Sequence, residues 1–194
     1  MGTAKTAALR QALLAVGLIG LSGLLAAAAG DKPAPVVGRV APDFKSKDAV
    51  THAPIHLSEQ QGKIVVLTFW ATWCAPCRKE LPILENLQRK LGNDRLVVYA
   101  VPFEEPEHTY AALVKAARSW QIALVDDRYE SIAREYGIKA IPHLFLIGRD
   151  GRIAAEHTGF GAGSVEQLVD DVNAAFRAAP PESSAAASPP APTD

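Results

Sequence analysis

The stretch from residue 64 to residue 92 leaves this chain few folds to choose from. Ile64–Trp70 (Ile-Val-Val-Leu-Thr-Phe-Trp) is a continuous apolar run rich in β-branched and aromatic residues, the pattern of a strand buried on both faces. After Ala71-Thr72-Trp73 comes Cys74-Ala75-Pro76-Cys77, and then a helical pattern with Leu81, Leu84, Leu87 and Leu91 at spacings of three and four, ended by Gly92-Asn93. Pro82 lies inside that helix and is expected to kink it. Leu96–Pro102 reads as a second buried strand, 106–120 as a helix with Tyr110, Leu113, Ala117 and Trp120 on one face, and 122–125 as a short strand. A brief helix at 131–136 is closed by Gly137. Residues 144–147 form a strand that turns through Gly148-Arg149-Asp150-Gly151 into 152–155, and a last amphipathic helix runs from Ser164, taken as its N-cap, to about Arg177. Strands alternating with helices predict an α/β layered sheet, parallel early and antiparallel near the end.

The two cysteines stand where that first strand meets its helix, and they are the only cysteines in 194 residues. Three positions apart, they face each other across the first helical turn, close enough to form a disulfide that can close and open. The helix N-terminus favours a thiolate at Cys74, which makes it the attacking nucleophile, whereas Cys77, one turn further in, is the resolving thiol. Pro76 fits the first turn, where its missing N–H costs nothing, and Trp73 offers a flat surface beside the sulfur. The other uses of such a pair are an inert bridge or half of a zinc site. An inert bridge usually closes a longer loop, and the five histidines (His52, His56, His108, His143 and His157) supply no second pair at metal spacing. The pattern therefore points to redox chemistry carried by the Cys74–Cys77 disulfide itself, with no other cofactor and no metal.

Composition agrees with one domain of this kind. The chain is 48% hydrophobic and 21% charged, enough apolar material for a proper core. Its 20 basic and 21 acidic residues include no basic run that would track a phosphate backbone, so nucleic acid is not an expected partner. Lys5 and Arg10 precede the apolar run 12–29, which ends in small residues, and 1–29 reads as a signal peptide cleaved near Ala28 or Ala29, or else as an uncleaved anchor. Either reading exports the rest of the chain, to the periplasm in a bacterium, where cysteine pairs can oxidise. Residues 30–39 read as a proline-bearing linker, 40–177 as the folded domain, and 178–194 as a disordered Ala/Pro/Ser tail.

The segment Phe69-Trp70-Ala71-Thr72-Trp73-Cys74-Ala75-Pro76-Cys77-Arg78-Lys79-Glu80-Leu81-Pro82 resembles the active-site segment of the thioredoxin superfamily, in its exported TlpA/ResA-type branch of thiol-disulfide oxidoreductases. Ala41-Pro42-Asp43-Phe44, Leu57-Ser58 and Gly62-Lys63 resemble that branch's N-terminal hairpin segment, and Tyr136-Gly137-Ile138-Lys139-Ala140-Ile141-Pro142 resembles its cis-proline loop. The resemblance, over about 38–177, implies a thioredoxin fold: a central mixed sheet flanked by helices, with an N-terminal β-hairpin extension and an inserted helix-strand unit. It also implies a cis Pro142 facing Cys74, with the backbone around Ile141 pairing to an extended substrate segment; the lesser reading of Pro142 is a trans proline opening an edge strand.

Thioredoxin carries a buried acid six positions before its first cysteine, where this chain has Thr68. Glu80 matches an acid of the ResA-type branch, and two readings of it stand: it tunes the thiols, or it is a solvated helix-face residue. His143 is either a surface histidine or a group that meets substrate or Cys74. The implied activity is reduction of protein disulfides, with apocytochrome c or copper-site cysteines as substrates and a membrane protein as electron donor. Two other uses of the scaffold are copper handling through Cys74, Cys77 and His143, and a general periplasmic oxidase or isomerase.

Overall fold

Residues 35–178 are described by a computed structural model, and the expected signal at 1–29 and nearly all of the expected tail lie outside them. Strand β3 (Ile64–Trp70) is the middle of a five-stranded sheet because every one of its residues is buried and none offers a polar face to solvent. The sheet order is β5-β4-β3-β6-β7, with β4 at Leu96–Pro102, β5 at Ala123–Leu124, β6 at His143–Ile147 and β7 at Ile153–Thr158. The β3/β4 and β4/β5 pairs are parallel, and β3/β6 and β6/β7 antiparallel. A separate hairpin, β1 (Lys45–Lys47) with β2 (Pro54–His56), precedes it, followed by a 3₁₀ turn at Leu57–Gln60.

The alternation of side chains along β3 divides the core into two layers. Ile64, Val66 and Trp70 pack with α1 (Ala75–Leu91), α2 (Glu107–Ala117) and α4 (Ser164–Arg177) through Leu81, Leu84, Leu113, Leu168 and Val172. Val65, Leu67 and Phe69 face the other way, onto Phe44, Ile55 and Leu57 of the hairpin region and onto Ile132 and Tyr136 around α3 (Ser131–Glu135). This is the thioredoxin-like arrangement, with the hairpin in front and the α2–β5 unit inserted.

Helix α1 runs from Ala75 to Leu91 with Pro82 inside it. Helix α2 stops at Ala117, so Trp120 reaches the core from the loop beyond, where its ring lies 5.4 Å from that of Trp70. The N-cap of α4 is Gly163, not Ser164. Ser164 is already helical, and its hydroxyl accepts the amide of Gly161 behind it at 2.9 Å instead of an amide ahead, while Gly163 takes the left-handed φ of 83° that glycine tolerates.

Strand register decides what meets at one end of the sheet. Trp70 pairs with Pro102 and Phe69 with His143, so the segments after β3, after β4 and before β6 emerge together. They carry Cys74, Glu105 and Pro142.

Candidate active site

Cys74 is the N-cap of α1, and its backbone is extended, at φ −81° and ψ 102°. Its Sγ accepts the amide hydrogen of Cys77 at 3.3 Å, while its own amide donates to the Ala71 carbonyl at 3.1 Å. The two cysteines are joined as a disulfide with their Cα atoms 5.3 Å apart. Cys77 is fully buried and Cys74 5% exposed, so the pair is asymmetric in the sense the sequence suggests. Ala75 and Pro76 form the first turn between them, and Pro76 removes no helical hydrogen bond there. Trp73 is 53% exposed beside the cap, held by its Nε1–H donating to the Glu104 carbonyl at 3.1 Å. The Ile141–Pro142 peptide is cis, with Ile141 half-buried, Pro142 buried and the Pro142 carbonyl accepting from the Gly159 amide at 2.8 Å.

Glu80 is not a solvated helix-face residue. It is 4% exposed, on the same stripe of α1 as Cys77 and Leu84, and its Oε2 accepts the hydroxyl of Thr68, itself fully buried on β3, at 3.0 Å. Burial pushes the Glu80 carboxyl up to about 7, against the opposing pull of the Thr68 hydrogen bond. A buried acid thus stands beside Thr68, carried by the helix and held by the threonine hydroxyl.

His143 is not turned toward the cysteines. It shares the sheet face of Phe69 and Phe145, stacks on Phe145 at 4.8 Å, and places its Nε2 2.8 Å from a Glu156 carboxylate oxygen. Cys74 and Cys77 belong to the opposite layer. The three residues of the copper-handling alternative are therefore not gathered into one ligand set, and the described residues hold no group of three or more His, Cys, Asp or Glu placed to bind a metal ion. The other four histidines, His52, His56, His108 and His157, lie elsewhere.

Thr72, Arg78 and Glu105 belong to the site although sequence reasoning passed them over. Glu105 Oε2 accepts the Thr72 amide at 2.8 Å and its Oε1 the Thr72 hydroxyl at 2.7 Å, while the Arg78 guanidinium donates to the Thr72 carbonyl at 2.8 Å. The signal that would have found Glu105 is the parallel β3/β4 register, because both residues lie just past the paired ends Trp70 and Pro102.

Mixed sheet, cap cysteine, buried partner thiol and cis-proline loop together define a thioredoxin-like thiol-disulfide oxidoreductase. A sequence profile of the AhpC/TSA family matches residues 37–156, and the chain belongs to that family. It is 34% identical over 125 residues to the thioredoxin-like protein YneN of Bacillus subtilis (strain 168), which covers 63% of this chain and 71% of that protein. To the thiol-disulfide oxidoreductase ResA of Geobacillus kaustophilus it is 33% identical over 131 residues, 66% of this chain and 73% of ResA. Among solved structures, one described as the thiol:disulfide interchange protein DsbE of Chlorobium tepidum matches with a TM-score of 0.66 at 31% identity, covering 74% of this chain and 99% of that one.

Proposed function

We propose that the protein is an extracytoplasmic reductant of protein disulfides in which Cys74 attacks and Cys77 resolves. The observation that carries the reading is the asymmetry of the pair: Cys74 caps α1 with an amide hydrogen directed at its sulfur, and Cys77 lies fully buried behind it. A sulfur at a helix N-terminus that accepts an N–H bond is stabilised as a thiolate, and the thiolate is the nucleophile.

In the reduced protein, the Cys74 thiolate attacks one sulfur of a substrate disulfide and forms a mixed disulfide, releasing one substrate thiolate that takes a proton from water. Cys77 then loses its proton to Glu80, whose carboxyl is pushed toward neutrality by burial, and attacks the Cys74 sulfur. The second substrate sulfur leaves as a thiolate and takes up the proton that Glu80 received, and the chain ends as the Cys74–Cys77 disulfide. Two electrons from a membrane donor dithiol restore it. The backbone at Ile141, just ahead of the cis proline, offers main-chain partners to an extended substrate strand, so recognition tolerates many sequences. Within that class the substrates are the paired cysteines of apocytochromes c or of copper sites under assembly, a reading supported by resemblance to the ResA-type branch. Export rests on the sequence of residues 1–29; among the described residues no helix is long and apolar enough to cross a membrane.

Stoichiometric reduction of insulin by the dithiol form tests this. The expected result is precipitation of the insulin B chain with loss of two protein thiols per disulfide reduced. Reduced protein that leaves insulin intact, while glutathione disulfide oxidises it readily, would overturn the assignment to protein disulfides.

A further inference from the structure

We propose that Glu105 is a positioning residue for this chemistry, acting through Thr72 to hold Cys74 at the cap of α1; the proposal rests on the assignment of Cys74 as nucleophile. The segment Ala71-Thr72-Trp73 is all that separates the end of the central strand from the reactive sulfur, and every polar group of Thr72 is tied down. Its amide and hydroxyl both go to the Glu105 carboxylate, one to each oxygen, and its carbonyl takes the Arg78 guanidinium. Oε1 of Glu105 also lies within hydrogen-bond distance of Thr109 Oγ1 in the first turn of α2, so the inserted helix is tied to the same carboxylate. The next residue is held by the same loop, since Trp73 Nε1–H donates to the Glu104 carbonyl.

The loop is built to present these groups. Glu104 is a non-glycine residue at φ 49°, a conformation that persists only where its surroundings impose it, and Phe103 donates its amide to the Trp70 carbonyl at 2.8 Å. A carboxylate is the one side chain that accepts two donors on separate oxygens with strength, and hydrogen bonds to it are roughly twice as strong as neutral ones. The turn that aims Cys74 at the Cys77 amide is thereby fixed from across the sheet end, 33 residues away in sequence.

A charge beside a thiol and a clamp on its backbone act on it in opposite directions. Removing a nearby negative charge favours the thiolate, whereas loosening the turn withdraws the Cys77 amide from Cys74 and disfavours it. Glu105→Ala and Glu105→Gln lose the same charge, but glutamine keeps a carbonyl acceptor for the Thr72 amide and an NH₂ for the Thr72 hydroxyl. The pH profile of Cys74 alkylation by iodoacetamide in the reduced proteins, with a thermal melt as a check of folding, separates the two. The expected result is alkylation at pH 7 about five- to tenfold slower in E105A than in E105Q, with a higher midpoint in E105A. Equal rates and midpoints in the two variants would overturn the proposal and leave Glu105 as a source of charge alone. Should E105A fail to fold, Thr72→Val removes the hydroxyl bond and leaves the amide bond, and is expected to slow alkylation about two- to threefold; a wild-type profile there refutes the clamp. A wild-type chain that reduced no protein disulfide would defeat the functional reading, yet this comparison would still decide what Glu105 does to the Cys74 thiol.

Discussion

Cys74→Ser lowers the rate of protein-disulfide reduction by roughly a thousandfold or more, because it removes the sulfur that caps the helix and is the less buried of the pair. Cys77→Ser has a different outcome. Its Cys74 still attacks, but the fully buried thiol that would resolve the mixed disulfide is missing, so a covalent complex with substrate accumulates. Non-reducing gel electrophoresis of each variant after incubation with an oxidised protein substrate distinguishes them: adduct in C77S, none in C74S. Adduct formation by C74S at the rate of C77S would reverse the assigned roles. Neither substitution is expected to unfold the domain, since the bridge spans only three residues and constrains the unfolded chain little.

Glu80 gives the second large effect, and its sign is set by burial. In the unfolded chain its carboxyl has the ordinary value of 4.5, and in the fold it titrates at about 7. Between those values the folded protein holds a proton that the unfolded chain has released, so stability falls as pH rises from about 4.5 through 7 and stays lower above. The loss amounts to about 3 kcal/mol by pH 8. Glu80→Gln keeps the shape and cannot ionise. Urea unfolding of the oxidised proteins is expected to show the two equally stable near pH 4.5 and the variant ~3 kcal/mol more stable at pH 8. A difference that does not change between those pH values would show that Glu80 ionises normally. The same variant, when reduced, is expected to slow resolution at Cys77 without slowing attack by Cys74, which rapid-quench trapping of the mixed disulfide reads directly.

Much of this architecture is legible from apolar periodicity. Ile64–Trp70 and Leu96–Pro102 have no polar face and announce themselves as central strands, and the leucine spacing of α1 marks a helix that packs on them. The cysteine pair was legible for the same reason: its position follows from the strand-helix junction. Glu80 was harder because the helix pattern alone permits either face at its margin. The clue that went unused is Thr68, a hydroxyl in the middle of an otherwise wholly apolar strand that must find a partner when buried, and Glu80 is on the stripe that faces it. The Ser164 cap was misread because serine caps forward in most helices, while here a glycine at positive φ precedes it and the hydroxyl turns back. Glu105 had no local signature at all. Its partner is 33 residues earlier, and only the register of two parallel strands brings the pair together.

The central claim is that this dithiol donates electrons to protein disulfides. The measurement that bears on it most directly is the reduction potential of the Cys74–Cys77 pair, obtained by equilibrating the protein with glutathione buffers and quantifying the two redox forms. With no charged residue between the cysteines and a buried carboxyl behind Cys77, the expected value lies toward the thioredoxin end of the range, at about −270 mV. A potential near that of the strong oxidants, about −120 mV, would contradict the account and identify the protein as a thiol oxidant.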